Sequence, residues 1–232
     1  MRILGIIPAR GGSKGVPEKN IKLLGNKPLI AYTINAAKSA KLLTEVIVSS
    51  DDSEIIDTTR KYGAKAPFTR PKEIATDKSP SILTVIHALQ FFKEKGIAFD
   101  AVCLLQPTNP FRTGIFIDDA IKKFIQTKVD SLISVLPVPH KYNPHWVFEP
   151  DKNDLLHIST GEDAIISRRQ ELPKAYYRDG SVYLTKANIV LEKQSLYGNT
   201  IGYIEATKDT HVNIDTLEDW EKAEKLLVKL GL

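Results

Sequence analysis

The run Ile3-Leu4-Gly5-Ile6-Ile7, continuing through Pro8-Ala9-Arg10 into Gly11-Gly12-Ser13-Lys14-Gly15, constrains the fold more than any other stretch. A short continuous apolar segment bounded by turn residues reads as a strand buried on both faces, the habit of a parallel sheet covered by helices. Three of the next five residues, from Gly11 to Gly15, are glycines, so the backbone can turn tightly with its N–H groups free to face a ligand. Such a loop cradles phosphates. Arg10, Lys14 and Lys19 add fixed positive charge to the same space, which favours a polyanion such as a nucleoside triphosphate over a neutral substrate. A glycine-rich turn that binds nothing is the plainer alternative.

Three loop signatures separate the chemistries open to this stretch. The dinucleotide pattern G-x-G-x-x-G is absent, and so is the G-x-x-x-x-G-K-[ST] loop of common ATPases. Gly11-Gly12-Ser13-Lys14-Gly15 does spell G-x-S-x-G, the nucleophile elbow of serine hydrolases. An elbow serine leads straight into a helix, however, whereas here Pro17 and a polar stretch follow and helical periodicity begins only near Pro28.

The remaining elements extend a β-α-β-α order. Helical spacing is predicted from Pro28 to Ala40, then a strand over Glu45-Val46-Ile47-Val48-Ser49-Ser50. Asp51 and Glu54 have the spacing of a helix cap, with a metal site as the alternative for those carboxylates. A short strand near Ala64 to Phe68 precedes Arg70-Pro71, and a helix places Ile82, Val85, Ile86 and Leu89 on one face, with His87 as a packing or surface residue. The strand Ala101 to Gln106 and the helix carrying Ile117, Ala120, Ile121 and Phe124 come next, then a strand over Ser131 to Leu136. That order predicts an α/β fold, doubly wound and three layers deep, in which ligands sit beyond the carboxyl ends of the strands, so that Gln106 and the glycine loop line one crevice.

From Pro137 to about Arg178 the pattern turns to prolines, aromatics and charges with only short alternating runs. Arg168, Arg169, Lys174 and Arg178 concentrate positive charge there, either as a solvated face or as a site for an acidic group. The chain returns to strands at Gly180 to Leu184 and near Thr200 to Glu205. A last helix carries Thr216 and Asp219 at capping-box spacing and a stripe of Trp220, Ala223, Leu227 and Leu230.

Composition narrows the function classes. At 232 residues, 42% hydrophobic and 26% charged, the chain suits one soluble domain of the large α/β kind, or one domain with a small appendage. A net charge of +4 without a Lys/Arg run interleaved with aromatics gives no nucleic-acid signature. Cys103, the single cysteine, sits in an apolar run and reads as a small buried hydrophobe, and the five histidines form no metal-ligand spacing, which argues against zinc. The N-terminal apolar run is too short for a signal peptide and no stretch is long enough to span a membrane, so the cytoplasm is the expected compartment.

The runs Ala9-Arg10-x-x-Ser13-Lys14-Gly15-x-x-x-Lys19-Asn20, Arg70-Pro71, Leu105-Gln106-Pro107-Thr108-x-Pro110-x-Arg112, Arg169-Gln170-x-Leu172-Pro173, Gly180-x-x-Tyr183 and Ile214-Asp215-Thr216 occur in that order across nearly the whole chain. Together they resemble the acylneuraminate cytidylyltransferases, the CMP-sialic acid synthetases. The form Ser-Lys-Gly-x-x-x-Lys-Asn sets them apart from the related Kdo cytidylyltransferases.

The resemblance implies transfer of CMP from CTP to a nine-carbon 2-keto sugar acid with release of pyrophosphate and the help of Mg²⁺. It also implies a mostly parallel, Rossmann-like nucleotidyltransferase sheet spanning residues 1–232, and a homodimer in which the irregular insertion 137–178 reaches the partner's site. Carried over residue by residue, it makes Arg10, Lys14 and Lys19 the catalytic cations, which with Ala9, Ser13 and Asn20 hold the triphosphate and ribose. Arg70 and Ser81 place the cytidine, Gln106, Arg169 and Tyr183 hold the sugar acid, and Asp215 with Asn213 binds the metal.

Two departures stand out. The family's Asp-x-Asp metal motif has Asn213 in its first position, which lacks charge, and a sugar-contacting lysine falls at Trp146, with Lys141 nearby. The second points to a relative of sialic acid, such as legionaminic, pseudaminic or deaminated neuraminic acid. A transferase for another base or sugar, and a non-catalytic sugar-nucleotide-binding module, are the competing readings.

Overall fold

In the computed structural model, which describes residues 1–232, the opening run is strand β1 (Ile3–Pro8) and lies inside a six-stranded sheet. A two-residue ladder, β2 (Leu23–Leu24) with β3 (Lys27–Pro28), leads into helix α1 (Leu29–Ser39). Strand β4 (Glu45–Ser49), helix α2 (Ser53–Lys61), helix α3 (Ser81–Glu94), strand β5 (Ala101–Leu104), helix α4 (Gly114–Thr127) and strand β6 (Ser131–Pro137) follow. A small hairpin, β7 (Phe148–Pro150) with β8 (Leu156–Ile158), precedes strand β9 (Tyr176–Lys186), helix α5 (Ala187–Lys193), strand β10 (Ile201–Glu205) and helix α6 (Leu217–Leu230). The sheet order is β10-β6-β9-β5-β1-β4.

Strand β1 pairs in parallel with β4 and β5, and β10 with β6, while β9 runs antiparallel between β5 and β6. The sheet is therefore mostly parallel and divides two helical layers, as the order of elements predicts. Alternation along the central strands builds both cores at once. Ile3 and Ile7 of β1 face α1, α2 and α4, packing with Ile30, Ile34, Ile55, Ile121 and Phe124, whereas Leu4 and Ile6 face α3 and α5 with Val85, Leu89, Phe92 and Val190. A third cluster joins Val16, Leu29, Phe111 and Ile214 to Trp220, Ala223 and Leu227 of α6, which ties the segment after the glycine loop to the C-terminal helix. No helix is long and apolar enough to cross a membrane.

Some elements differ from the sequence reading. The stretch from Ala64 to Phe68 forms no strand: Lys65 makes one isolated bridge to Ile47, and Thr69, just beyond the stretch, makes another to Ser50. Helix α2 is capped by Asp52, whose carboxylate accepts from Ile55 N at 3.0 Å, while Asp51 turns back to accept from Gly11 N at 3.2 Å. The strand expected at Gly180 is the C-terminal part of the longer β9, and α5, too short for a periodic signal, follows it. Between Ile133 and Val135, β6 advances two residues while β9 advances five, so Asp179 to Val182 bulge out of register, and Gly180 takes φ +84° to turn there. Helix α6 carries the predicted capping box, Thr216 with Asp219.

Candidate active site

The glycine loop leaves β1 at the sheet's carboxyl edge and is pinned at both ends. Ala9 N donates to Ser49 O at 3.0 Å, joining the loop's start to the end of β4. The buried Asn20 donates from Nδ2 to Arg10 O at 2.9 Å, and its own carbonyl accepts from Ile30 N at the start of α1. Close packing dictates one glycine in particular. A Cβ on Gly15 would lie 2.0 Å from the backbone oxygen of Asp215, so only glycine lets the loop lie against the turn before α6. A Cβ on Gly12 would meet nothing within 4 Å.

That contact brings the N-terminal cations to the C-terminal carboxylate. Lys19 donates from Nζ to Ile214 O at 2.7 Å and lies 3.5 Å from Asp215 Oδ1. Burial lowers the Lys19 pKa, with Asp215 pulling it back up and Arg10 adding repulsion. Arg10 and Lys14 both reach Asp77, Lys14 at 2.7 Å, and these hydrogen bonds, that of Lys14 foremost, hold the Asp77 carboxyl below the usual range. Arg70 is buried at the end of β4, donating to Ser49 O at 2.7 Å and Thr84 Oγ1 at 3.1 Å, and burial lowers its pKa.

Arg10, Ser13, Lys14, Lys19, Asn20, Arg70, Ser81, Gln106 and Asp215 line one cavity of about 340 Å³, together with Asp77. Gln106 also lines two adjoining cavities of about 300 Å³ and 250 Å³, both of which include Tyr183, and the smaller includes Asn213 and Asp215. Behind Gln106 the buried Arg112 grips the loop from within, accepted by the carbonyls of Gln106, Asn109 (3.1 Å) and Ser181 (2.7 Å). Burial pushes its pKa down to about 10.

The other expected site residues lie elsewhere. The side chain of Ala9 is in the core and its N–H is taken by Ser49, so it does not line the cavity. Arg169 is exposed on the short turn Arg169–Glu171 and lines none of the three cavities. Trp146 donates its indole N–H to Ile166 O at 2.6 Å, and Lys141 sits 4.6 Å over the Tyr142 ring, so both serve the irregular segment itself. Asp77 escaped the sequence reading because its cationic partners lie more than sixty residues away, and only a pattern linking the two loops would have found it.

Asp215 and Asn213 offer hard oxygen donors, but Asn213 turns its Nδ2 to donate to Asp215 Oδ2 at 2.6 Å, and no group of three acidic, histidine or cysteine side chains surrounds them. A cation there would complete its shell with oxygens from a bound phosphate and water.

An open α/β sheet whose carboxyl edge carries a glycine loop and convergent cations suits a polyanionic ligand, and the fold is that of the Rossmann-like nucleotidyltransferases. A family model described as cytidylyltransferase matches residues 4–230, and the chain belongs to that family. It is 38% identical over 229 residues, 98% of this chain and 97% of the relative, to the CMP-N,N'-diacetyllegionaminic acid synthase of Legionella pneumophila. It is 35% identical over 231 residues, 100% of this chain and 98% of the relative, to the pseudaminic acid cytidylyltransferase of Campylobacter jejuni. Among solved structures, CMP:2-keto-3-deoxy-manno-octonic acid synthetase complexed with CTP shares the fold with a TM-score of 0.74 at 16% identity, covering 99% of this chain and 100% of that one.

Proposed function

We propose that this cytidylyltransferase transfers CMP from CTP to the anomeric hydroxyl of a nine-carbon 2-keto sugar acid of the legionaminic, pseudaminic or sialic type, releasing pyrophosphate. The observation that carries this reading is the cavity at the sheet's carboxyl edge, where Arg10, Lys14, Lys19 and Arg70 converge beside the glycine loop and a further pair of cavities opens across Gln106. The acceptor class rests on the two relatives named above.

The anomeric oxygen attacks the α-phosphorus in line, and the bond from that phosphorus to the β-phosphate oxygen breaks. Arg10, Lys14 and Lys19 neutralise charge on the phosphate oxygens, and the amides of Gly12 to Gly15 add fixed dipoles around them, while that of Gly11 is held by Asp51. Arg70 and Ser81 border the cytidine end. The cavity is lined by no histidine, and the hydroxyl proton passes to an ordered water. Mg²⁺ held by Asp215 and a rotated Asn213 amide would supply further charge neutralisation at the phosphates.

Asn213→Asp adds a charged ligand and removes the amide that now occupies Asp215. The variant should reach half-maximal rate at a lower Mg²⁺ concentration, and an unchanged or raised requirement in a Mg²⁺ titration counts against Asn213 as a ligand.

We assign the chain one nucleotidyltransferase domain, with the expected insertion 137–178 shortened at its end because Tyr176 to Arg178 already pair with β6 in β9, and the cytoplasm as the compartment that supplies its CTP. The insertion leaves Tyr142, Phe148, Leu155, Leu156 and Ile165 exposed, which supports a homodimer in which it and Arg169 meet the partner's acceptor site.

The reading is tested by pyrophosphate release from CTP and Mg²⁺ with diacetyllegionaminic, pseudaminic and N-acetylneuraminic acids offered in parallel, with the eight-carbon Kdo as control. Release with a nine-carbon acid supports it. CTP binding with no release from any of them returns the protein to a sugar-nucleotide-binding module.

A further inference from the structure

A 2-keto sugar acid in its ring form carries its carboxylate and its attacking hydroxyl on the same carbon. Whatever cation receives that carboxylate must therefore stand at the border between the nucleotide cavity and the acceptor cavity. Gln106 marks this border, since it lines the triphosphate cavity and both cavities beyond it. Among the residues lining those two further cavities there is one cation, Arg178, and it lines both. Arg169, the arginine implied by resemblance, lines neither within the same subunit.

Arg178 is presented by local structure rather than by chance exposure. It is the last residue of β9 paired to β6, opposite Val135, before the five-against-two bulge. The neighbouring Asp179 turns inward, where its carboxylate accepts from Ser181 N at 3.1 Å and from the hydroxyls of Ser134 and Ser181, so it does not neutralise Arg178. No carboxylate lies within 4.0 Å of the guanidinium, whereas Arg10, Lys14 and Lys19 each have one. What orients it are hydroxyls: it donates from Nη1 to Tyr197 Oη at 3.4 Å, and the buried Tyr183 stands beside it. The same cavity is walled by Ile82, Leu104 and Leu196, apolar surface that suits the body and acyl groups of an N-acylated sugar.

We propose that Arg178, steadied by Tyr197 and Tyr183, binds the acceptor's carboxylate in its own subunit and so selects a sugar acid over a neutral sugar. The inference rests on the acceptor class proposed above. A guanidinium free of other partners meets a carboxylate with two parallel hydrogen bonds, which an ammonium does not reproduce.

The test uses the full-length enzyme and the nine-carbon acid it turns over, beside the same sugar with its carboxylate converted to the carboxamide. Arg178→Gln should raise KM for the acid about tenfold to a hundredfold, the worth of hydrogen bonds to a charged group, with CTP affinity and melting temperature within the wild-type range. Its preference for acid over amide should collapse, because the amide never drew on the charge. Arg178→Lys should recover part of that preference, and Tyr197→Phe should raise KM for the acid by a smaller factor with CTP binding intact. An unchanged KM in Arg178→Gln overturns the proposal, as does an equal rise for acid and amide or a loss of discrimination in Arg169→Gln instead. Wild-type enzyme that turns over no nine-carbon acid overturns the acceptor reading, a failure distinct from active wild type with an indifferent Arg178 variant.

Discussion

Asp77 occupies the cations a nucleotide needs. Arg10 and Lys14 both pair with it, so phosphates that take these cations displace that carboxylate. Asp77→Asn should therefore bind CTP about twofold to fivefold more tightly at low salt, the scale of an exposed ion pair, with the gain shrinking as salt rises. Calorimetric titration at two ionic strengths checks this, and weaker binding would mean that Asp77 serves the bound nucleotide instead. His87 makes a different kind of prediction. It packs on α3 edge-to-face with Phe68, ring centroids 4.6 Å apart, its buried Nδ1 has no partner, and burial followed by the nearby Arg70 lowers its pKa from 6.5. The unfolded chain then binds a proton more readily than the folded one, so stability is complete above about pH 6.5 and declines as pH falls towards the lower folded value. His211, lowered by burial against the opposing pull of Asp179, acts in the same sense. His87→Phe should flatten the acid limb of melting temperature against pH, and an unchanged limb would assign it to other groups. At this scale the cations were legible because they crowd one short run, whereas Asp77 and the pairing of Lys19 with Ile214 depend on chain closure over long separations.

At the scale of elements, strands and helices announced themselves where burial is periodic. β1, α4 and α6 follow their apolar patterns, and the Thr216–Asp219 box marks the start of α6. β9 was legible only in part, because direction and neighbours are tertiary facts: a run such as Val182-Tyr183-Leu184 has the same composition in a parallel or antiparallel ladder. The bulge that presents Arg178 left one local sign, Gly180, and that glycine alone does not say how far the register slips. The glycine loop separates its own residues in the same way. Gly15 packs against Asp215 O, so Gly15→Ala should push the loop from the turn before α6, lower the melting temperature and weaken CTP binding. Gly12 faces open space, so Gly12→Ala should melt as wild type does. Equal effects of the two substitutions on melting would show that backbone freedom, rather than the approach to Asp215, is what the loop requires.

For the whole molecule, the position of Arg169 bears on how each site is assembled. The order of strands brings the glycine loop, Gln106 and Tyr183 to one edge of the sheet, yet leaves Arg169 exposed on the insertion, outside the cavities of its own subunit. If the insertion crosses a two-fold axis, as proposed, each site is built from Lys14 of one subunit and Arg169 of the other. Two inactive variants then complement each other. Lys14→Ala and Arg169→Ala, each dimerised alone, have two defective sites. In a mixed dimer one site collects both defects and the other has neither. Random exchange of equal amounts should thus restore about a quarter of the wild-type rate, since half the dimers are mixed and each has one intact site of two. Recovery after subunit exchange, followed by pyrophosphate release, would place Arg169 across the interface. With Arg169 serving its own subunit, both sites of every mixed dimer stay defective and exchange recovers nothing. Arg178 gives the internal control, because its assigned cavity belongs to the same chain as Lys14. A mixture of Lys14→Ala and Arg178→Gln subunits should show no recovery beyond the residual activity of the parents.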